Sequence, residues 1–445
     1  NRTSQPTLSG TDLLRFVIFL LYRLLQWVVS PFIVLYFLNR GRRDRRYLRN
    51  FTERLGRLPK ELGGDPGGVW IHGVSVGEAL ADEKADSRVD GIFYAPIDYC
   101  FAVRSVLRIL RPRIVVILET EIWPNLYREV KYTGAALWIV NGRISDRALV
   151  RYRRIRPLLK EVLALPDRIL AQTSEIAGRF RAIGAPADRV GVGGNLKYDF
   201  DAGAVPVPPA VESWLEALRP GRIWVAASTM PAAVPGDPDE DEVVLDAFQA
   251  LAVGHPDLLL ILAPRRPERF QEAALRLERC SIRFIRRSAM AGEAPPFQLP
   301  GVLLLDTIGE LAGVFRVAEV VFMGGTLPHR GGHNPLEPAY FDKPVVAGPH
   351  MENFQAIADR FDAAGAWVRV TSPADLAGAV GDLLDHPELR RRTGARGGEV
   401  ARAEQGAAAR LAVQLAAAWQ DAVVERWPWC VWRAAPDPSS PCRSR

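Results

Sequence analysis

Short apolar runs bounded by turn residues alternate with helical stretches, and they do so twice along the chain. That alternation restricts the possible folds more than any other feature of the sequence. The first set of runs covers 69–74, 91–95, 113–118, 136–140 and 168–171. A proline-rich break, Val205-Pro-Val-Pro-Pro, separates it from a second set at 222–227, 257–263, 302–305, 320–324 and 344–348. Runs that are apolar throughout suit strands covered on both faces. Strand–helix–strand crossovers then give parallel sheets. The predicted fold class is α/β, with two Rossmann-like domains facing a cleft. Residues 47–204 are assigned to the first domain, 205–221 to a linker, and 222–424 to the second domain with its closing helices. No structure is assigned to 425–445, which is rich in Trp, Pro, Ser and Arg and has no periodicity.

Ahead of the first domain, residues 13–38 are dominated by Leu, Val, Ile, Phe and Tyr, with Arg15, Arg23 and Gln26 as the only charged or amide side chains. The run exceeds the roughly 20 apolar residues that span a bilayer. It is too long for a signal-peptide core. The basic flank Asn39-Arg40-Gly41-Arg42-Arg43-Asp44-Arg45-Arg46 should stay cytoplasmic, together with the rest of the chain beyond it. Arg23 in mid-segment is costly for a true span. A helix lying in the interface competes with that reading, and a buried core helix is the third choice. Residues 1–46 are therefore set apart as an anchor with its flank. The net charge is +6, and the clustering of arginines after the apolar run suits an anionic membrane surface. No nucleic-acid-binding signature accompanies it. Cys100, Cys280, Cys430 and Cys442 form no C-x-x-C pair and have no histidines at metal spacing, which argues against disulfides and zinc.

Ligands of open parallel sheets bind beyond the carboxyl ends of strands. After the first run comes Ser75-Val76-Gly77-Glu78. It reads as a capping box, or as a general base, Glu78, facing the cleft; one residue can do both. After 113–118 come Glu119, Thr120, Glu121, Ile122, Trp123, Pro124 and Asn125. Pro124 suits the first turn of a helix, and a structural role for the cluster stays open. In the second domain, Ser228-Thr229 and Pro264-Arg265 offer hydroxyls and a guanidinium to a phosphate. The bland alternative is a solvated Arg run. Ile308-Gly309-Glu310 ends another strand. Gly324-Gly325-Thr326 precedes Gly331-Gly332-His333-Asn334-Pro335-Leu336-Glu337, which opens a helix. Glycines let backbone approach a ligand, and a helix N-terminus favours phosphate. The competing reading is a cap, with Asn334 at N-cap, Pro335 at N1 and Glu337 at N3. Without G-x-x-x-x-G-K-[ST] or G-x-G-x-x-G, ATP hydrolysis and NAD chemistry lack support.

In their order, these strings resemble the 3-deoxy-D-manno-octulosonic acid (Kdo) transferases of Gram-negative bacteria. The resemblance rests on the N-terminal anchor, Glu53-Arg54-Leu55-Gly56, Trp70-Ile71-His72 through Glu78, and Glu119 to Pro124. It continues with Asn141-Gly142-Arg143, Gly194-Asn195-Leu196-Lys197, Ser228-Thr229, Pro264-Arg265 and Gly325 through Pro338. It implies a glycosyltransferase-B fold that holds CMP-Kdo in the second domain and a lipid A precursor (lipid IVA) in the first. It implies Glu78 as general base and Glu119 as a second essential carboxylate. Pro264, Arg265, Ile308, Gly309, Glu310, Asn334, Pro335, Leu336 and Glu337 resemble CMP-contacting positions, with Glu337 on the ribose. Ser228, Thr229, Gly325, Thr326, Gly331, Gly332 and His333 complete the donor side. Ser75, Gly77, Glu121, Trp123 and Arg143 fall on the acceptor side. The implied reaction inverts the anomeric centre without metal or cofactor, at the cytoplasmic side of the inner membrane, with inner-membrane lipid as a partner and no nucleic acid.

The chain departs from that pattern after Leu80, where it runs straight into Ala81-Asp82-Glu83-Lys84. In the family a helix–strand–helix passage separates these stretches. The first domain is therefore expected to be shortened near 80–81, with exposed apolar edges and a severe loss of stability. Met230 stands where a polar residue is expected. Two alternatives stay open: a related transferase using a UDP-sugar, and a catalytically dead nucleotide-binding relative.

Overall fold

The computed structural model describes residues 10–43, 51–73, 89–290 and 297–421. The chain divides into two compact units, one made of Asn1–Leu196 with Gly406–Arg445, the other of Lys197–Gln405.

The first unit is built on a parallel sheet of β1 (Val69–His72), β2 (Ile114–Leu118), β3 (Ala136–Gly142), β4 (Arg168–Ala171) and β5 (Val190–Val192), in that order. Its N-terminal helix, α1 (Gly10–Arg43), is long and apolar enough to cross a membrane. Helices α2 (Cys100–Leu110) and α3 (Pro124–Tyr132) flank β2. β1 is an edge strand: Trp70 and His72 point into the core, whereas Val69 and Ile71 are exposed.

The run at 91–95 is not a strand. Within it the Tyr94 N–H donates to Glu53 Oε2 at 2.9 Å, and just beyond it the Ile97 N–H donates to the Arg54 carbonyl at 2.8 Å. Phe93 meanwhile packs on Trp70, with ring centroids 5.8 Å apart. An apolar run covers a core face equally well as irregular chain once its amides have partners.

One stripe of α1 faces the first unit. Phe19 is fully buried, and Tyr22, Arg23, Gln26 and Ser30 are half-buried, a spacing that keeps them on one helix face. Arg23 Nη2 pairs with Glu129 of α3 at 3.1 Å, and its Nε donates to Asn125 Oδ1 at 3.1 Å. The Tyr22 hydroxyl donates to Asp98 Oδ2 at 2.8 Å and Gln26 Nε2 to the Asp98 carbonyl at 2.7 Å. The other face leaves Leu20, Leu21, Leu24, Leu25, Val28 and Phe32 exposed.

The second unit has a seven-stranded sheet in the order β12-β11-β10-β6-β7-β9-β8. Its strands are β6 (Arg222–Thr229), β7 (Leu258–Pro264), β8 (Phe284–Arg286), β9 (Gly301–Leu304), β10 (Val320–Met323), β11 (Val345–Ala347) and β12 (Trp367–Arg369), all parallel. The order reverses beside β6, so the carboxyl ends of β6, β10 and β7 form a topological switch point. The stretch expected to be a linker carries helix α4 (Pro209–Leu218), whose Val211, Trp214 and Leu215 enter the core. Helix α5 (Glu240–Gly254) follows β6. Between β10 and β11 lies a single helical turn, α6 (Leu336–Ala339).

Helix α7 (Ala407–Asp421) was expected to close the second domain but belongs to the first unit. Leu411, Leu415 and Ala418 pack on Val116, Trp138, Val140 and Leu170, which form one face of the first sheet. Trp419 Nε1 donates to the Gly67 carbonyl at 2.7 Å, and the Arg113 guanidinium lies over the Trp419 ring at 4.4 Å. The Ala-rich composition suited either unit; the apolar face left on the first sheet decides between them.

Candidate functional site

In the second unit, the candidate donor-side residues gather at neighbouring strand ends. Pro264 closes β7 and is buried, while Arg265 beside it is exposed. The Arg265 N–H donates to the Thr229 carbonyl at 3.1 Å, tying the ends of β7 and β6. The charge of Arg265 acts on both His333 and Glu337, so these three groups share one locale. Burial pushes the Glu337 carboxyl up, while Asn334 and the Arg265 charge pull it back. Burial, helped by Arg265, holds His333 down at about 4, so the imidazole is neutral near pH 7. The Glu310 carboxylate accepts from Arg287 Nη2 at 2.7 Å and from the Thr307 hydroxyl. Ile308, at 81% exposure, and Gly309, with open space where a Cβ would lie, form a free tip beside it.

Several residues predicted to contact ligand are engaged within the protein. Thr229 is fully buried and its hydroxyl donates to Asp241 Oδ1 at 2.5 Å. Thr326 is also fully buried; its hydroxyl donates to the Met323 carbonyl at 2.7 Å and accepts from the Gly348 N–H at 2.9 Å. Leu336 lies in the core, and Pro335 is buried beside it. The glycines have left-handed backbones, but protein atoms fill the space beside them. A Cβ at Gly331 would lie 2.6 Å from Asn353 Nδ2, one at Gly332 2.5 Å from Met351 Sδ, and one at Gly325 3.1 Å from the His333 ring. Asn334 is not an N-cap: its Oδ1 accepts the Leu336 N–H at 3.2 Å one position ahead of α6, whose N-cap is Pro335. A single turn carries little dipole, which weakens the helix-terminus argument for phosphate. Ser228 sits at φ 57° at the end of β6, a left-handed conformation uncommon for serine and more often found at functional positions.

One group escaped the sequence reading. The Glu240 side chain is fully buried at the start of α5. It accepts the N–H groups of Met230 (2.8 Å), Gly325 (2.6 Å), Thr326 (3.0 Å) and Leu327 (3.0 Å). Met230 contributes its backbone N–H here, and its side chain is buried. Burial pushes the Glu240 carboxyl up, and the four amides, two on each oxygen, pull it back toward the ionised form. In the sequence the only cue was an acidic run beginning the helix after β6.

In the first unit, Glu119 and Asn141 occupy the carboxyl ends of the neighbouring strands β2 and β3, both left-handed, at φ 60° and 55°. The Glu119 N–H donates to the Val140 carbonyl at 2.9 Å, which holds the turn at the strand end. Asn141 Oδ1 accepts from Gln172 Nε2 and the Leu196 N–H, each at 3.2 Å. Glu121 Oε2 accepts from Trp123 Nε1 at 2.8 Å, and the Trp123 ring meets the His72 ring edge-on at 4.9 Å. His72 is buried, its Nδ1 has no hydrogen-bond partner among the described residues, and burial lowers it to about 4. Arg143 is exposed; its N–H donates to the Thr120 hydroxyl at 2.9 Å, and that hydroxyl donates to the Arg143 carbonyl. Pro124 opens α3 as expected, but Asp98 caps that helix, with Oδ1 accepting the Leu126 N–H at 2.7 Å and Oδ2 the Asn125 N–H at 3.1 Å. Ser75, Gly77 and Glu78 lie outside the described residues. Among the described residues, no group of three His, Cys, Asp or Glu side chains could hold a metal ion.

Residues 80–200 match the family model described as 3-Deoxy-D-manno-octulosonic-acid transferase (kdotransferase). The chain is similar to the 3-deoxy-D-manno-octulosonic acid transferase of Haemophilus influenzae, at 32% identity over 88% of this chain and 96% of that protein. It is also similar to the Bordetella pertussis protein of the same name, at 32% identity over 73% of this chain and 81% of that one. Among solved structures, the C-terminal CMP-Kdo binding domain of WaaA from Acinetobacter baumannii matches 43% of this chain and 95% of that domain, at 29% identity and a TM-score of 0.38. The two parallel sheets with their helices agree with the glycosyltransferase-B class expected of such relatives. With a third of its residues shared across nearly the whole Haemophilus influenzae sequence, the chain belongs to the 3-deoxy-D-manno-octulosonic acid transferase family, glycosyltransferases of lipopolysaccharide biosynthesis.

Proposed function

We propose that this chain transfers Kdo from CMP-Kdo to lipid IVA, with inversion at the anomeric carbon and without a metal. The observation that carries the donor assignment is the grouping of Arg265, His333, Asn334 and Glu337 at the switch point of the second sheet. A guanidinium suits the departing phosphate, and a carboxylate suits ribose hydroxyls. In the step itself, the bond from the anomeric carbon to the CMP phosphate oxygen breaks through an oxocarbenium-like state. The acceptor hydroxyl forms the new bond from the opposite face and gives its proton to Glu78. Negative charge builds on the phosphate, where Arg265 stabilises it electrostatically. Glu119, held left-handed at the end of β2, is the second carboxylate of the acceptor side. Glu121, Trp123 and Arg143 flank it.

The proposal includes attachment to the cytoplasmic face of the inner membrane through α1. The pairing of Arg23 with Glu129 favours a helix lying in the interface, because its polar stripe is already engaged by protein.

Transfer is to be measured with CMP-Kdo and a tetraacyl disaccharide acceptor, and Glu78→Ala should abolish it. Robust transfer by that variant would remove Glu78 from the mechanism. Calorimetry should give tighter binding of CMP than of UDP. The reverse order would favour a UDP-sugar donor, and CMP binding by a wild-type chain that transfers nothing would mark a catalytically dead relative.

A further inference from the structure

Glu240 has no role in the proposed chemistry, yet its environment is unusual. It is a fully buried carboxylate, and among the described residues its hydrogen-bond donors are all main-chain amides. Three of those amides are consecutive, Gly325, Thr326 and Leu327, and they converge on one side chain. Successive amides of this kind form a concavity that attracts anions. Here an internal anion fills it. Oε2 bridges Met230, just past β6, to Gly325, just past β10, and Oε1 takes Thr326 and Leu327. The Glu240 N–H returns a bond to the Met230 carbonyl at 3.1 Å, which fixes the carboxylate's own backbone.

The constraint continues toward the candidate donor residues. The Gly325 carbonyl accepts the Gly332 N–H at 2.8 Å, and the Gly331 carbonyl accepts the Asn353 N–H at 2.9 Å. His333 packs against Gly325, and Asn334 and Glu337 lie further along the same segment. A loop rich in glycine would otherwise sample many shapes and lose that freedom on binding. Four charge-assisted bonds to one buried carboxylate remove the cost in advance.

We infer that Glu240 is a positioning residue of the donor site: its carboxylate clamps the loops after β6 and β10 into the shape that receives the CMP-sugar. The inference rests on the proposed CMP-Kdo donor reading. It does not make Glu240 a catalytic residue.

Two isosteric or near-isosteric variants test it. Glu240→Gln presents an NH2 group to amides that need an acceptor, and Glu240→Asp keeps the charge but falls short of one loop. At a temperature where circular dichroism shows both variants folded, the Kd for CMP and the KM for the donor should rise about tenfold or more in Glu240→Gln. The acceptor KM should stay within about twofold. Glu240→Asp should fall between the wild type and Glu240→Gln. A purely structural role would lower the melting temperature and leave both donor constants unchanged, and that result would overturn the inference. If Glu240→Gln does not fold, hydrogen exchange on the wild type decides. Slow exchange at 325–327 that persists without CMP supports a preset clamp, whereas fast exchange that slows only with CMP overturns it. A wild type that binds no CMP sinks the donor reading itself, and is told apart because it requires no variant.

Discussion

Two imidazoles, His72 in the first unit and His333 in the second, are held neutral by burial. Each has its folded value lowered to about 4 from an ordinary 6.5. Between those values the unfolded chain binds the proton and the folded one does not, so stability must fall as pH drops from about 6.5 toward 4. For His72 the slope is up to about 1.4 kcal/mol per pH unit. The melting temperature of the first unit should decline over that window, and His72→Phe should flatten the decline. An unchanged pH profile in that variant would mean another group takes up the proton. The glycines offer a second test at this scale. Gly332→Ala meets Met351 Sδ and the His350 carbonyl, in a left-handed backbone with φ 75°. It should destabilise the second unit by at least about 1–2 kcal/mol and weaken CMP binding. Gly309 has φ 90° but nothing within 4 Å of a Cβ, so Gly309→Ala should cost only the backbone strain. Denaturant titrations of the pair separate contact from conformation.

At the scale of elements, the junction of α1 with α3 is the feature most open to mutation. Glu129 is fully buried and shared by Arg23 and Arg104, the latter through Nε at 2.6 Å. Removing the shared acid takes an ion pair from two part-exposed guanidinium groups, whereas removing Arg23 leaves the Arg104 pair in place. Glu129→Ala should therefore destabilise the first unit by about 1–3 kcal/mol. Arg23→Ala should cost clearly less and should loosen α1 from the unit, read as altered protease access to residues 10–43. Equal losses from the two variants would contradict the shared arrangement. Nothing in the sequence pairs Arg23 with Glu129, whereas the apolar runs that became β2, β3, β6, β7, β9 and β10 were legible because they are long and uninterrupted. β5, β8 and β12 are three residues each and contain or end on Gly or Arg, whereas the equally short β11 is apolar throughout and was readable. The run at 91–95 had strand composition, but its amides found Glu53 and Arg54 instead. The strand-end position of Arg265 followed from the alternation, and so did the placement of Glu310 and Glu337 in the segments that follow β9 and β10. The burial of Thr229 and Thr326 did not, because a hydroxyl at a strand end points either way until a partner claims it. Glu240 was invisible for the same reason, since its partners are backbone groups that carry no sequence identity.

At the scale of the molecule, the first unit is assembled from both ends of the chain, while the second, Lys197–Gln405, is continuous. Ending the chain at residue 405 removes α7 and bares Val116, Trp138, Val140 and Leu170. That truncation should destabilise the first unit, or drive it to aggregate, and leave the melting of the second close to its full-length value. Calorimetry of the two forms checks this, and a first-unit transition unchanged by the cut would mean α7 adds nothing. The same arrangement sets a schedule for synthesis. Residues up to 196 emerge first, yet the face of their sheet stays uncovered until 407–421 have been made. At translation speeds of about 5–20 residues per second, the interval is on the order of ten to forty seconds. The second unit can finish within that time; the first must wait, its apolar face available to chaperones, until α7 has been made.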